Sequence, residues 1–279
     1  MFWHSMRKTK GNNTMPTAVP NAFDLTGQVA LVTGSSSELG IGFASARLLG
    51  QFGASVMVTG TTERAAERAR ELQSEGIAAR SHVADLMDPE AARGLVEATE
   101  AAFGRLDIVV NNAGLASVHI PERPNPLMVM SDEEWRLALR RNVDSAFFVT
   151  RAALPGMVER GYGRIVNVAS TAGILTAYTG DVGYHTAKAA MLGMTRSVAV
   201  DYARNGVTAN VVVPGWIATA AQLPSEVVAG NATPIGRSAT AAEVAAGIAF
   251  LAAPGASYVT GTTLAIDGAN SIAGSSATE

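Results

Sequence analysis

The chain has no cysteine, which excludes disulfides, thiolate catalysis and every cysteine-built metal site. Charge is scarce as well: 16% of residues are Asp, Glu, Lys or Arg, and the net charge is −3. A balance that near neutrality gives no electrostatic case for a nucleic acid or an anionic membrane. Only four histidines occur, His4, His82, His119 and His185, without the H-x-x-x-H type spacing of a zinc site. No apolar run is long enough to span a bilayer. What the chain does have is apolar residues, 48% of 279. That suits one large domain and leaves little room for a second.

The opening residues, MFWHSMRKTKGNNTMPTAVPNAFD, stand apart. They are polar, basic near the start, and lack both apolar periodicity and the apolar segment of a signal peptide. The expectation is a disordered extension over 1–23, with Met15 as a candidate true start, and one folded domain over 24–279.

From Gly27 onward the text alternates. Short β-branched runs stand at QVALVTG, ASVMVTG, AARSHVAD, LDIVVNNAG, GRIVNVAS, VTANVVVPG and TTLAIDG. Between them lie Ala-rich amphipathic stretches such as FASARLLGQFG, ERAAERARELQSEG and PEAARGLVEATEAAFG. Strands alternating with helices predict βαβ units. Strands this uniformly apolar are expected where helices cover both faces. The pattern predicts an α/β doubly wound parallel sheet of seven strands, whose ligands bind beyond the carboxyl ends of the strands.

The residues just after each strand therefore carry the functional reading. TGSSSELGIG follows the first. Gly34 permits a tight turn, Gly40 and Gly42 permit close backbone approach to a phosphate, and the helix starting near Ile41 offers free N–H groups to an anion. Ser35, Ser36 and Ser37 add hydroxyl donors. TGTTER follows the second strand. Enzymes selective for NAD place a carboxylate there for the adenosine ribose. Gly60, Thr61 and Thr62 stand there instead, with Arg64 next, and hydroxyls with a guanidinium suit a 2′-phosphate. The plainer alternative is a solvated helix start capped by Thr61 or Thr62.

Further along the strand ends come Asp85 in VADL, NNAG at Asn111–Gly114, Ser170 in IVNVAS, YHTAK at Tyr184–Lys188, and PGWIAT at Pro214–Thr219. In this order, and over about Leu25 to Asn270, the chain resembles the short-chain dehydrogenase/reductase family, in the branch of 3-oxoacyl-carrier-protein reductases and many alcohol dehydrogenases. The resemblance implies a single-domain Rossmann fold and a catalytic tetrad of Asn142, Ser170, Tyr184 and Lys188. Asn142 would anchor a proton-relay water, Ser170 bind the substrate oxygen, and Tyr184 exchange the proton. Lys188 would hold the nicotinamide ribose and favour the phenolate. It also implies Asp85 and the Leu86 backbone near the adenine, and Asn111, Asn112, Ala113 and Gly114 at the adenosine ribose and central strand. Pro214, Gly215, Ile217 and Thr219 would embrace the nicotinamide amide.

Elementary chemistry agrees. A phenol with a pKa near 10 is a poor acid–base catalyst at neutral pH unless its phenolate is favoured. Lys188 lies at i+4 from Tyr184, on the same helical face, and supplies the cation. No histidine is placed to activate Ser170, so its hydroxyl orients rather than attacks. His185 lies next to Tyr184 but faces another side of the helix. The Asn111–Asn112 pair also fits a structural role capping the strand end.

Three features depart from the family pattern. Five residues separate Gly34 from Gly40, more than in the usual T-G-x-x-x-G-x-G turn. The divergent enoyl reductases have such a long turn but pair it with Y-x6-K, whereas this chain has Y-x-x-x-K, which implies C=O rather than C=C reduction. The stretch AAQLPSEVVAGNATPIGR resembles a shortened substrate lid, hence a more open site. The loop ASVHIPERPNPLMVM, with Pro121, Pro124 and Pro126, reads equally as substrate wall or rigid surface connection. Val200 stands before Asp201 where members that use acyl-carrier protein have arginine.

The expected function is NADPH-dependent reduction of a ketone, 3-oxoacyl or other, to a secondary alcohol. The alternatives are NAD-dependent oxidation of a secondary alcohol, sugar, polyol or steroid, and a non-catalytic nucleotide-sensing scaffold, whose usual mark is a broken tetrad. The expected partner is a small carbonyl or alcohol, with no nucleic acid, membrane or metal. The resemblance further implies a cytoplasmic homotetramer or dimer.

Overall fold

A computed structural model describes residues 22–114 and 125–273. Residues 1–21, which hold most of the expected extension, lie outside them. Ala22 and Phe23, also expected in the extension, pack on the domain: Gly255 N donates to Ala22 O at 3.0 Å, and the Phe23 and Phe52 rings lie 5.9 Å apart.

Seven parallel strands form the sheet: β1 (Val29–Val32), β2 (Ser55–Gly60), β3 (Ala79–Val83), β4 (Ile108–Asn111), β5 (Gly163–Val168), β6 (Val207–Pro214) and β9 (Thr263–Ile266). Their order is β3-β2-β1-β4-β5-β6-β9, and each coincides with one of the apolar runs in the sequence. A separate two-stranded ribbon, β7 (Ile217–Ala218) with β8 (Ala239–Thr240), has no such run to announce it. Strands β1, β4, β5 and β6 are buried along their whole length, as a sheet covered on both faces requires.

One face is covered by α1 (Ile41–Gln51), α2 (Arg64–Ser74) and α8 (Ala241–Ala252), through Phe43, Leu49, Leu72, Val244 and Ile248. The other is covered by α3 (Pro89–Phe103), α5 (Ser145–Arg160) and α6 (Val182–Tyr202), through Leu95, Val149, Met157 and Ala199. Local chemistry sets the boundaries. Asp88 caps α3 by accepting from Glu90 N, Pro89 supplies its first turn, and Gly104 ends it at φ +82°. Helix α4 (Asp132–Leu139) opens on a capping box between Ser131 and Glu134. It runs into α5 through a π turn, Arg140–Asp144, where Ser145 N bonds to Arg140 O. A short helix, α7 (Pro224–Asn231), lies between β7 and β8.

Strand β1 pairs with both β2 and β4, so the chain reverses its winding there. The crevice between their carboxyl ends is where such a sheet holds ligands. Among the described residues no helix is long and apolar enough to cross a membrane.

Phe43 is fully buried in the first turn of α1, with the guanidinium groups of Arg47 and Arg68 at 4.5 and 5.3 Å from its ring. Phe43→Ala is expected to cost about 3–5 kcal/mol, read as a drop in the denaturant midpoint; a loss below about 1 kcal/mol would mean that α1 is not held by this contact.

Candidate active site

The β1 turn has the close glycine packing and uncapped helix start expected of a phosphate cradle. Gly34 has φ +62°, and a Cβ there would meet Ala113 Cα at 2.8 Å. At Gly42, in the first turn of α1, a Cβ would meet Asn112 Nδ2 and Gly34 O, both at 2.6 Å. Gly40 is the N-cap of α1 and has no side-chain cap, so the amides of the first turn, from Ile41 on, have no side-chain acceptor. The three serines divide. Ser35 is fully buried; its hydroxyl donates to Val32 O at 2.8 Å and accepts from Thr59 N at 3.0 Å. It ties β1 to β2 and is not a phosphate donor, contrary to expectation. Ser36 and Ser37 remain half-buried at the turn.

Ser36 lies against the end of β2: a Cβ on Gly60 would meet Ser36 Oγ at 2.6 Å and Ser36 Cβ at 2.8 Å. Thr61 and Arg64 are exposed, Thr62 is half-buried, and Arg64 Nε donates to Thr62 Oγ1 at 3.3 Å. Glu63, without a side-chain bond, is the N-cap of α2. The capping role expected as the alternative for Thr61 or Thr62 therefore does not hold. Past β3, Asp85 is exposed and accepts from its own Met87 N at 3.0 Å, while Leu86 is buried.

At the end of β4, Thr33 and Asn112 form a clasp. Thr33 Oγ1 donates to Val110 O and accepts from Asn112 N and Ala113 N, at 3.3, 2.9 and 3.0 Å. Asn112 Nδ2 donates to Thr33 O at 3.1 Å and Gly34 O at 3.0 Å. Asn111 is buried in a polar chain: its Nδ2 donates to Thr150 Oγ1 at 2.9 Å and Asn167 Oδ1 at 2.8 Å, and Asn167 Nδ2 donates to Thr195 Oγ1 at 2.8 Å. Both asparagines thus have structural work.

The tetrad residues of the sequence converge beside this clasp. Asn142 sits in the π turn, fully buried; Nδ2 donates to Ala138 O at 3.0 Å, and Oδ1 has no hydrogen-bond partner among the described residues. A π turn inserts a residue into the helix and is frequent at functional sites. Gly114 packs so closely that a Cβ would meet Asn142 Oδ1 at 2.5 Å and Lys188 Nζ at 3.3 Å. Lys188 is 2% exposed; Nζ donates to Val168 O, the last residue of β5, at 3.1 Å and lies 5.5 Å from the Tyr184 ring centre. Ser170 follows two residues after β5, its Oγ accepting from Ala172 N at 3.1 Å. His185 turns its ring to Tyr178, edge-on at 4.4 Å, with the Tyr184 ring centre at 6.5 Å.

At the end of β6, Pro214 O accepts from Thr171 N at 2.9 Å and Gly215 N donates to Ile266 O at 3.0 Å. A Cβ on Gly215 would meet Asp267 Cβ at 2.8 Å. Ile217 begins the β7–β8 ribbon and accepts from Thr219 N at 2.9 Å. This ribbon anchors the α7 segment at its base. There Arg237 holds Glu243 by two bonds of 2.7 and 2.8 Å, which together with the Thr240 N–H lower the Glu243 carboxyl to about 2. Pro121 and Pro124 of the long loop lie outside the described residues.

Two contributors carry little signal in the sequence. Thr33 is marked only as the T preceding Gly34. Asp181, which caps α6, is marked only by a D-x-x-Y spacing.

These features fit a dinucleotide: a glycine cradle with an uncapped helix start, a β2 end at Gly60 packed against the Ser36 hydroxyl with no carboxylate there, and a buried phenol–ammonium pair at the crevice. They define a Rossmann-type oxidoreductase site. The family model described as enoyl-(acyl carrier protein) reductase matches residues 34–269. The chain is 38% identical to the 3-oxoacyl-[acyl-carrier-protein] reductase of Vibrio cholerae over 88% of its length and 98% of that protein. It is 37% identical to the protein of the same name from Escherichia coli, over 87% and 96%. Among solved structures, a gluconate 5-dehydrogenase from Burkholderia cenocepacia in complex with NADP and tartrate superposes with a TM-score of 0.82 at 32% identity, covering 91% of this chain and 98% of the other. Levodione reductase superposes at 0.82 and 31%, covering 90% and 100%. The chain belongs to the short-chain dehydrogenase/reductase family.

The division among the serines is measurable. Ser35→Ala removes the buried hydroxyl that bonds both Val32 O and Thr59 N and is expected to cost about 1–3 kcal/mol, whereas Ser36→Ala leaves the melting temperature unchanged. Equal melting temperatures for both variants would contradict the assignment of Ser35 to the β1–β2 tie.

Proposed function

We propose that this chain is an NADP(H)-dependent reductase that converts a small ketone to a secondary alcohol. The observation that carries the reading is the Tyr184–Lys188 pair, one helical turn apart, with the ammonium buried 5.5 Å from the phenol ring. The cradle of Gly34, Ser36, Ser37, Gly40, Ile41 and Gly42 would hold the pyrophosphate. Asp85, Leu86, Asn112, Ala113 and Gly114 would flank the adenosine, and Pro214, Gly215, Ile217 and Thr219 the nicotinamide amide. When bound, the nicotinamide supplies the hydride.

The remaining work is done by the side chains. Ser170 Oγ donates a hydrogen bond to the carbonyl oxygen and fixes its position. Tyr184 gives its proton to that oxygen as the carbon accepts the hydride, leaving a phenolate. Lys188 favours that phenolate and would hold the nicotinamide ribose hydroxyls. Asn142 Oδ1, buried and without a partner among the described residues, accepts from a water that returns a proton to the site.

NADP is preferred because Gly60 leaves no carboxylate opposite the adenosine ribose, and Thr61, Thr62 and Arg64 offer donors to a 2′-phosphate. Val200, 81% exposed, stands where carrier-protein users of the family have arginine, which favours a free ketone over a carrier-bound one. The name of the matched model and the lengthened turn favour C=C reduction instead, but the Y-x-x-x-K spacing governs proton delivery and supports C=O. The reverse reaction, alcohol oxidation with NAD, uses the same residues. The reading extends to a cytoplasmic enzyme assembled as a homotetramer or dimer through α5 and α6, where Phe147 and Val200 are exposed.

A paired thermal-shift titration with NADPH and NADH tests the cofactor, since a ligand of the folded state raises stability by RT ln(1 + [L]/Kd). NADPH is expected to give the larger shift. A larger shift with NADH would favour the NAD-dependent alcohol dehydrogenase, and no shift with either would revive the scaffold reading. Gly60→Asp pushes on Ser36 and adds a negative charge, so the NADPH shift is expected to shrink by the equivalent of about tenfold in Kd or more while the NADH shift survives. An unchanged ratio would remove Gly60 from the selectivity argument. Tyr184→Phe is expected to abolish turnover while leaving the nucleotide shift intact; retained turnover would sink its assignment as proton donor.

A further inference from the structure

One carboxylate near the candidate catalytic pair has no role in the reaction above. Asp181 caps α6 and is 9% exposed. Its Oδ1 accepts from Tyr184 N at 3.4 Å, and its Oδ2 accepts from Tyr178 Oη at 3.3 Å. His185 completes the cluster. Its backbone N donates to Asp181 O at 3.1 Å, its ring meets Tyr178 edge-on, and its Nε2 is buried without a hydrogen-bond partner among the described residues. The loop that carries Ser170 turns back at Gly173, φ +84°, and packs on the His185 carbonyl. The carboxylate is therefore fixed between the Ser170 loop and the head of α6.

Asp181 is the N-cap of α6 and lies just outside the helix, held to it through the Tyr184 N–H. Asp181 precedes Tyr184 by three positions and Lys188 follows it by four. Tyr184 therefore has a fixed carboxylate at its backbone N–H and a buried ammonium 5.5 Å from its ring. The cation favours the phenolate, and the anion favours the neutral phenol. We propose that Asp181 is a positioning residue that opposes Lys188 and sets the pH at which Tyr184 exchanges its proton. The proposal rests on the reading of Tyr184 as proton donor.

Burial holds the Asp181 carboxyl above its ordinary range, outweighing the Tyr184 N–H, His185 and the Tyr178 hydroxyl, which pull it down. It stays ionised at the alkaline pH where a phenol titrates. The elements packed on α6 from this side are α4 and the π turn. Their charged groups are Asp132, Glu133, Glu134, Arg136, Arg140, Arg141 and Asp144, and none of these is among the groups that shift Asp181.

The test separates charge from capping. Asn and Ser are good N-caps without charge, and Glu keeps the charge. The phenolate of Tyr184 is titrated by ultraviolet difference in Asp181→Asn, Asp181→Ser, Asp181→Glu and the unaltered chain, each with Tyr184→Phe as its blank. The pH profile of NADPH oxidation with ethyl acetoacetate as probe ketone is measured alongside. The two neutral variants are expected to move the Tyr184 midpoint, and the alkaline fall of reduction, to lower pH by about one unit, with Asp181→Glu near the unaltered chain. Superimposable titrations of Asp181→Asn and the unaltered chain would overturn the proposal. So would failure of both neutral variants to fold, because the charge would then serve stability. Turnover by Tyr184→Phe would defeat the proton-donor reading instead, and the ultraviolet titration would still show whether Asp181 acts on the phenol.

Discussion

The clasp made by Thr33 and Asn112 across the ends of β1 and β4 is the constraint on which the site depends. One hydroxyl serves three backbone groups, and one side-chain amide serves two carbonyls. Parallel strands at the reversal point have no turn joining them, so their ends need a tie of this kind to stay in register beyond the last ladder bond. With the clasp in place, Gly34 rests on Ala113 and Gly114 rests on Asn142 and Lys188. The glycine turn and the proposed Asn142–Lys188 side of the crevice are thereby held by one short stretch, Asn112–Gly114.

Close approach then follows as a requirement rather than an ornament. A side chain at Gly114 would enter the space between Asn142 Oδ1 and Lys188 Nζ. A buried ammonium is costly unless it is paired, and Lys188 finds the Val168 carbonyl at the carboxyl end of β5. That carbonyl is within reach because β5 ends two residues before Ser170, so the same strand terminus places the hydroxyl and satisfies the cation. Below it, the chain from Thr150 through Asn111 and Asn167 to Thr195 links α5, β4, β5 and α6 by side-chain hydrogen bonds. Polar groups that a core would otherwise reject fix the helix bearing Tyr184 against the sheet.

Much of this could be read from the amino acids. The apolar runs gave the strands most plainly at β1, β4, β5 and β6, which are buried along their whole length and need no alternating pattern to be recognised. Tyr184 and Lys188 share a face because helical spacing requires it. Other features were hidden for physical reasons. Ser35, Ser36 and Ser37 are chemically identical in the text, and only the path of the turn sends the first inward to Val32 and Thr59. The π turn at Arg140–Asp144 shifts the helical phase by a single residue, too little to disturb the apolar pattern. Glu63 caps α2 through its backbone alone, against the preference for threonine. Asp181 looks like an ordinary cap, and its burial beside Tyr184 depends on a loop that folds back at Gly173.

The lengthened glycine turn shows how an insertion can leave a cradle intact. Gly40 N bonds back to Ser37 O at 3.0 Å, which closes a tight turn over Glu38 and Leu39. These two residues face solvent, with Glu38 71% exposed at its side chain and Leu39 58% exposed, while Gly34, Gly40 and Gly42 keep their contacts beneath. The added length projects outward, and Arg68 of α2 comes within 3.8 Å of the Glu38 carboxylate. Turn length and reaction chemistry are therefore separable in this fold. The turn keeps its backbone amides at its base, and its loop can grow on the solvent side without moving them. The phenol and ammonium sit on one helix, where inserting residues between them would rotate one off the shared face. Spacing on that helix is the more direct guide to which bond is reduced.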